Sequence, residues 1–254
     1  MQVYNSCDKL YKYLDKFREN DYTEIVIKQT KGAVKIMKRS VYSLVLADDV
    51  ISEIDKLAFK MNTSRSNLIN QILAERVQLM TPEMRMREIF SRMESLMGSP
   101  FQAMSQTSDA VLALRKSLNY KYYPTIKYSF ELFRSFSGCV GRLKVNFRTQ
   151  SKSLIDTVSK FFELWAEIEE KYVGKYFTNG VPCRISDGRL ERDFYEIRTG
   201  GLSDKEISDW VSGYIQLIDR CIQLYVDNCD KPSQVFDTIE KMYIQNLKDG
   251  TPIL

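Results

Sequence analysis

Histidine is absent from this 254-residue chain. Its absence removes Ser-His-Asp and Cys-His nucleophile pairs, His-Glu-x-x-His zinc sites and every acid/base step at an imidazole. Cysteine is sparse: Cys7, Cys139, Cys183, Cys221 and Cys229 are odd in number and form no Cys-x-x-Cys. A disulfide framework and a structural zinc site therefore lack their ligands, and the composition fits reduced thiols in the cytoplasm. Cys221 falls in an apolar helical stripe and is expected in the core. No apolar run approaches the ~18–20 residues that span a bilayer, and the residues after Met1 do not open as a signal peptide. The expectation is no membrane partner, no metal and no cofactor, with any catalysis confined to carboxylates, Lys or Tyr.

What the chain does hold is core material, at 44% hydrophobic and 28% charged residues. The length predicts one to two domains. The net charge of +4 is mild, but it is unevenly placed. Residues 1–80 carry 13 Lys/Arg against 10 Asp/Glu, which leaves 24 against 23 for the remainder. Between Ile25 and Ala47 stand Lys28, Lys31, Lys35, Lys38 and Arg39 with no acidic residue. Such a run reads either as a solvated loop or as a phosphate-facing segment.

Residues 4–18 read as an amphipathic helix through Tyr4, Leu10, Tyr13, Leu14 and Phe17. Thr23 to Ile27 reads as a strand, Thr30-Lys31-Gly32 as a turn, and Ala33 to Met37 as a returning strand. From Arg39 the pattern sharpens. Tyr42, Leu44 and Leu46 alternate with Val41, Ser43 and Val45, as strand side chains alternate between faces. Asp48 and Asp49 then open a helix, where negative charge suits the positive end of the dipole. Its apolar positions are Val50, Ile51, Ile54, Leu57, Ala58 and Met61. After Asn62-Thr63-Ser64-Arg65-Ser66 a second helix follows, capped by Ser64, with Leu68, Ile69, Ile72, Leu73 and Val77 on its apolar side.

Met80-Thr81-Pro82 closes that unit. The spacing predicts helices over 82–97 and 101–118, then a β-hairpin from Ile126-Tyr128-Phe130-Leu132 to Leu143-Val145-Phe147. A long helix is expected from about Ser153 to Tyr172, and a further strand within Leu190 to Thr199. Ser203-Asp204-Lys205-Glu206 is a capping box that opens a helix to about Asp227. Pro232 suits the first turn of a last helix, to about Leu247. The fold class is α+β and mostly helical. Its parts are an extension over 1–37, a strand-helix-helix unit over 38–80, and a helix-rich domain with a β-hairpin over 81–254.

The order of strand, helix, polar break and helix over residues 39–77 resembles the ribbon-helix-helix DNA-binding proteins of the Arc/MetJ/CopG type. The resemblance implies an intertwined homodimer whose paired strands enter the major groove of double-stranded DNA. Base-facing residues would be Arg39, Val41, Ser43 and Val45; phosphates would be faced by Lys38 beside the ribbon and by Thr63, Ser64, Arg65 and Ser66 at the start of the second helix. The chain departs from the family at Val41 and Val45, since valine forms no hydrogen bond to a base and at best meets a thymine methyl. The alternative is a ribbon that serves dimerisation alone, with Ser64 as a plain helix cap. Physics independently favours pairing, because so thin a core and so lone a strand edge are unstable in a single copy.

The leading expectation is a dimeric DNA-binding regulator, a repressor of plasmid, phage or mobile-element type, cytoplasmic and nucleoid-associated, which assembles further on DNA or senses an effector through residues 81–254. The alternative is a protein-interaction module, antitoxin-like or a relaxosome or partition accessory. A third reading, a metal-dependent nuclease, draws on Asp187, Glu191, Asp193 and Glu196, where Glu196-Ile197-Arg198 resembles a Glu-x-Lys site. Arginine holds its proton too firmly to replace that lysine, and an evenly mixed charge run also describes a solvated strand. Tyr120, Tyr122, Tyr123 and Tyr128 with Lys121 and Lys127 read either as a stacking surface for single-stranded bases or as hairpin packing.

Overall fold

The computed structural model describes residues 41–104, 108, 110–133, 138–196, 201–228 and 232–248. The helix and strands expected within residues 4–37 lie outside them, as do Lys38 and Arg39. Among the described residues the fold is α+β, with six helices and one six-stranded antiparallel sheet. The helices are α1 (Asp48–Lys60), α2 (Arg65–Arg76), α3 (Pro82–Met97), α4 (Lys152–Val173), α5 (Asp204–Asp227) and α6 (Pro232–Lys248). The strands are β1 (Gln102–Ala103), β2 (Val111–Ser117), β3 (Thr125–Leu132), β4 (Cys139–Arg148), β5 (Cys183–Ser186) and β6 (Arg189–Tyr195), in the order β1-β2-β3-β4-β6-β5.

Local chemistry marks most helix starts. Thr81 accepts from the Met84 amide at 3.1 Å and Pro82 occupies the first turn of α3, where its missing N–H costs nothing. At α5 the capping box closes both ways: the Glu206 amide donates to Ser203 Oγ at 3.2 Å, and the Ser203 amide donates to Glu206 Oε2 at 2.9 Å. The stripe Leu154, Val158, Phe161, Phe162, Trp165 and Ile168 of α4 is fully buried, as its spacing predicts.

The hairpin expected from residues 126–147 forms as β3 and β4, with Tyr128 opposite Val145 and Phe130 opposite Leu143. At its closed end Gly141 must be glycine. An added Cβ would stand 2.4 Å from the Glu131 carbonyl oxygen and 2.7 Å from the Phe130 ring. The helix expected over 101–118 does not form; those residues enter the sheet as β1 and β2. A short apolar run fits either period. Here the antiparallel edge of β3 decides, taking Leu112 opposite Phe130 and Leu114 opposite Tyr128. The domain therefore holds a full sheet where the sequence predicts a hairpin.

One face of this sheet packs on the helices. Leu112, Leu114, Ile126, Tyr128, Phe130, Leu143, Val145, Leu190 and Phe194 share a single core with α3, α4, α5 and α6. Each such side chain contributes ~1.5–3 kcal/mol by leaving water. Within this core lies an ion pair. Arg192 Nε donates to Glu169 Oε2 at 2.8 Å, and both side chains are almost wholly buried. Tyr214 donates to Glu169 Oε1 at 2.9 Å, and Trp165 Nε1 donates to Tyr214 at 2.8 Å. The Arg192 guanidinium lies over the rings of Phe177 and Phe194, 5.5 and 5.2 Å from their centroids. The network joins α4, α5 and β6, and burial with the neighbouring carboxylate raises the Tyr214 phenol well above its usual range.

The opposite face carries charge. Register places Ala113, Ser129, Lys144, Glu191 and Arg184 in one cross-strand row, and Arg115, Lys127, Asn146 and Arg189 in the next. Arg142 Nη2 donates to Asp193 Oδ2 at 2.9 Å; Lys144 and Arg184 lie 3.7 and 3.5 Å from Glu191. Among the described residues no helix packs over this face.

Candidate nucleic-acid interface

Residues 41–47 precede α1 without regular secondary structure and form no strand pairing among the described residues. Their exposure alternates. Val41 and Val45 are completely exposed, whereas Tyr42, Leu44 and Leu46 decline from 83% to 60% to 37% toward the helix. Ser43 is exposed with the valines.

Helix α1 starts after Ala47 without a side-chain cap, and Asp48 and Asp49 supply the negative charge of its first turn. Ser64 caps α2, accepting from the Asn67 amide at 3.2 Å. Thr63 is half-buried and its amide donates to the Ala58 carbonyl at 3.0 Å; Arg65 and Ser66 stand on the exposed first turn. Arg65 is turned toward α1. Its Nε donates to Asp55 Oδ1 at 2.6 Å and its Nη2 donates to Asp55 Oδ2. The hydrogen-bonding guanidinium holds the Asp55 carboxyl below the usual carboxylate range. Ser64, Ser66 and the free amides of the helix start are therefore the donors left open to an anion.

The packing between α1 and α2 is narrow. Ala58, Leu68 and Ala74 are its buried apolar residues, while Val50, Leu57, Ile72, Leu73, Val77, Leu79 and Met80 remain exposed. None of the residues in α1 or α2 belongs to the core that spans Met86 to Tyr243.

The carboxylates considered for metal chemistry face cations or solvent. Glu191 and Asp193 project from the outer sheet face toward Lys144, Arg184 and Arg142, and Asp187 lies exposed in the β5–β6 turn. Burial raises the Glu196 carboxyl. No group of three or more His, Cys, Asp or Glu side chains suited to a metal ion occurs among the described residues. Burial pushes the thiols of Cys139 and Cys221 up to about 11 and about 12, so both stay protonated at neutral pH. Of the tyrosines, Tyr128 is buried and donates to Asp219 at 2.9 Å, whereas Tyr122 and Tyr123 are exposed in the β2–β3 turn. The cations Arg115, Arg148 and Arg189 escape a linear reading, because only the strand register aligns them.

No family model matches the chain, and no curated protein or solved structure is significantly similar to it. Among the described residues, no helix is long and apolar enough to cross a membrane.

Proposed function

We propose that the chain is a homodimeric, double-stranded-DNA-binding regulator that pairs through a ribbon-helix-helix unit over residues 38–80. The observation that carries this reading is the apolar surface from Val41 to Met80, left exposed on a unit with almost no core of its own. A second copy is the occupant that fits it. Two antiparallel ribbons satisfy each other's unpaired backbone groups, and a two-fold axis brings like apolar helix faces together. The paired ribbons would then present Arg39, Val41, Ser43 and Val45 to the major groove, with the amide-rich starts of α2 flanking the phosphates. Transcriptional repression on a plasmid, phage or other mobile element is the role assigned to this unit, with residues 81–254 for assembly or effector sensing.

Alanine at Arg39 and Ser43 together removes the two polar groups available for base readout. The expected result is at least about ten-fold weaker binding in a mobility-shift assay against duplexes selected from a random pool, since one good base contact contributes ~1–3 kcal/mol. Unchanged binding by a folded, dimeric double variant refutes ribbon readout.

A second reading rests on Arg65. With its Nε and Nη2 donating to Asp55 and with valines at two of four ribbon positions, the unit would serve pairing alone, and residues 81–254 would hold a protein partner in the manner of an antitoxin or a relaxosome or partition accessory. Under that reading the double variant binds DNA as the wild type does.

A further inference from the structure

The outer face of the sheet has two ends of different character. At one end, every basic side chain faces a carboxylate: Arg142 meets Asp193, and Lys144 and Arg184 meet Glu191. At the other end the row Arg115, Lys127, Asn146 and Arg189 contains no carboxylate, and Arg148 follows it opposite Thr125. Neighbouring strands lie ~4.8 Å apart, so the row extends over about 14 Å from β2 to β6. Arg115, Arg148 and Arg189 are exposed and Lys127 is half-buried. Arg115 donates to Gln102 at 3.0 Å, a neutral partner that leaves its charge uncompensated. Asp187 in the β5–β6 turn and Glu191 on β6 each lie two residues from Arg189 along the chain, and neither is paired with it.

The β2–β3 turn rises at this same end. Tyr122 and Tyr123 take φ of 66° and 45°, a region that bulky side chains rarely enter and that costs ~1–3 kcal/mol per residue. The two residues are nevertheless 87% and 69% exposed, with Lys121 Nζ 5.3 Å from the Tyr122 ring centroid, so core burial does not offset that cost. The turn is held firmly. The Tyr123 amide donates to the Tyr120 carbonyl at 2.8 Å, and Gln223 of α5 both accepts from the Asn119 amide and donates to its carbonyl, at 3.0 and 3.1 Å. Two exposed tyrosines thus stand on a braced turn at the same end of the sheet as a row of cations that form no ion pair with a carboxylate among the described residues.

We propose that this end of the sheet binds single-stranded nucleic acid, with the cation row on the phosphates and the rings of Tyr122 and Tyr123 stacked on unpaired bases. Cations alone would suit any polyanion, but exposed rings need a partner with free π-faces. A single strand offers those faces and a duplex hides them. An acidic peptide satisfies the row and leaves the rings idle. The surface is separate from the ribbon, so either reading can fail while the other stands.

The test is fluorescence anisotropy on the full chain carrying Arg39→Ala and Ser43→Ala, titrated into labelled deoxythymidine and uridine 20-mers and a 20-bp duplex. Expected is tighter binding to a single strand than to the duplex, with the two sugar types separating DNA from RNA. Adding Arg115→Gln, Lys127→Gln and Arg189→Gln should flatten the dependence of log affinity on log salt by about 2, at ~0.7 per lost phosphate contact. Adding Tyr122→Ala and Tyr123→Ala should weaken binding at least five-fold per ring, whereas the Tyr→Phe pair retains it. Salt slope and affinity unchanged by the Gln substitutions overturn the proposal. Duplex binding that equals single-strand binding and falls in parallel with it on the Gln substitutions, or equally strong competition by polyglutamate, overturns it as well.

Discussion

A full chain carrying Leu73→Glu is expected to be monomeric under conditions where the wild-type chain is a dimer, and to lose duplex binding in the same step. Leu73 lies on α2 and is 53% exposed in the single chain, so the substitution leaves the domain core between Met86 and Tyr243 untouched. In the proposed dimer the same residue is buried twice, once per copy. Losing two leucine burials removes ~3–6 kcal/mol, before any penalty for two trapped carboxylates. At ~1.4 kcal/mol per decade the dimer dissociation constant rises by roughly two to four orders of magnitude. Sedimentation equilibrium reads this directly, and a fold-dependent circular dichroism spectrum matching the wild type excludes misfolding. A Leu73→Glu chain that remains a tight dimer shows that the apolar face of α2 is not the interface.

The second large effect lies in the core. Arg192→Leu leaves Glu169 charged and buried with its main cationic partner gone, which costs about 3–5 kcal/mol. For a domain of this size the thermal midpoint should fall by roughly 6–20 °C. Adding Glu169→Gln should restore much of the loss, because the amide carbonyl still accepts from Tyr214 while no charge remains to be solvated. Recovery in the double variant separates a stranded charge from simple loss of packing. A midpoint within about 3 °C of wild type for Arg192→Leu alone contradicts the role given to this ion pair.

The helices of the domain were legible because their signals are local. Pro82 after Thr81, the Ser203–Glu206 box and Pro232 each lie within one turn of the helix they start, and α3 spans the predicted residues 82–97. Strands β3 and β4 showed through their alternation, and β6 falls largely within the strand expected over Leu190 to Thr199. Strand β2 did not, since Val111-Leu112-Ala113-Leu114 suits a helix until the edge of β3, a dozen or more residues downstream, takes it up. Arg192 shows the same limit. In the sequence it sits in an evenly charged run, and its burial depends on β6 turning that position toward Glu169 on α4.

At the candidate site Ser64 was legible as a cap, because capping is a contact over three residues. The pairing of Arg65 with Asp55 was not, since the two lie on different helices and meet only once α1 and α2 pack. The cation row on the outer sheet face draws one residue from each of several strands, so no window of sequence contains it.

Sedimentation velocity of the full chain with a short duplex of arbitrary sequence, at low salt and tens of micromolar protein, tests the central claim most directly. Non-specific contacts to phosphate suffice for binding in that range. The prediction is a free protein of about twice 29.7 kDa that joins the duplex as a unit of two chains. A species of 29.7 kDa that sediments apart from the duplex contradicts it.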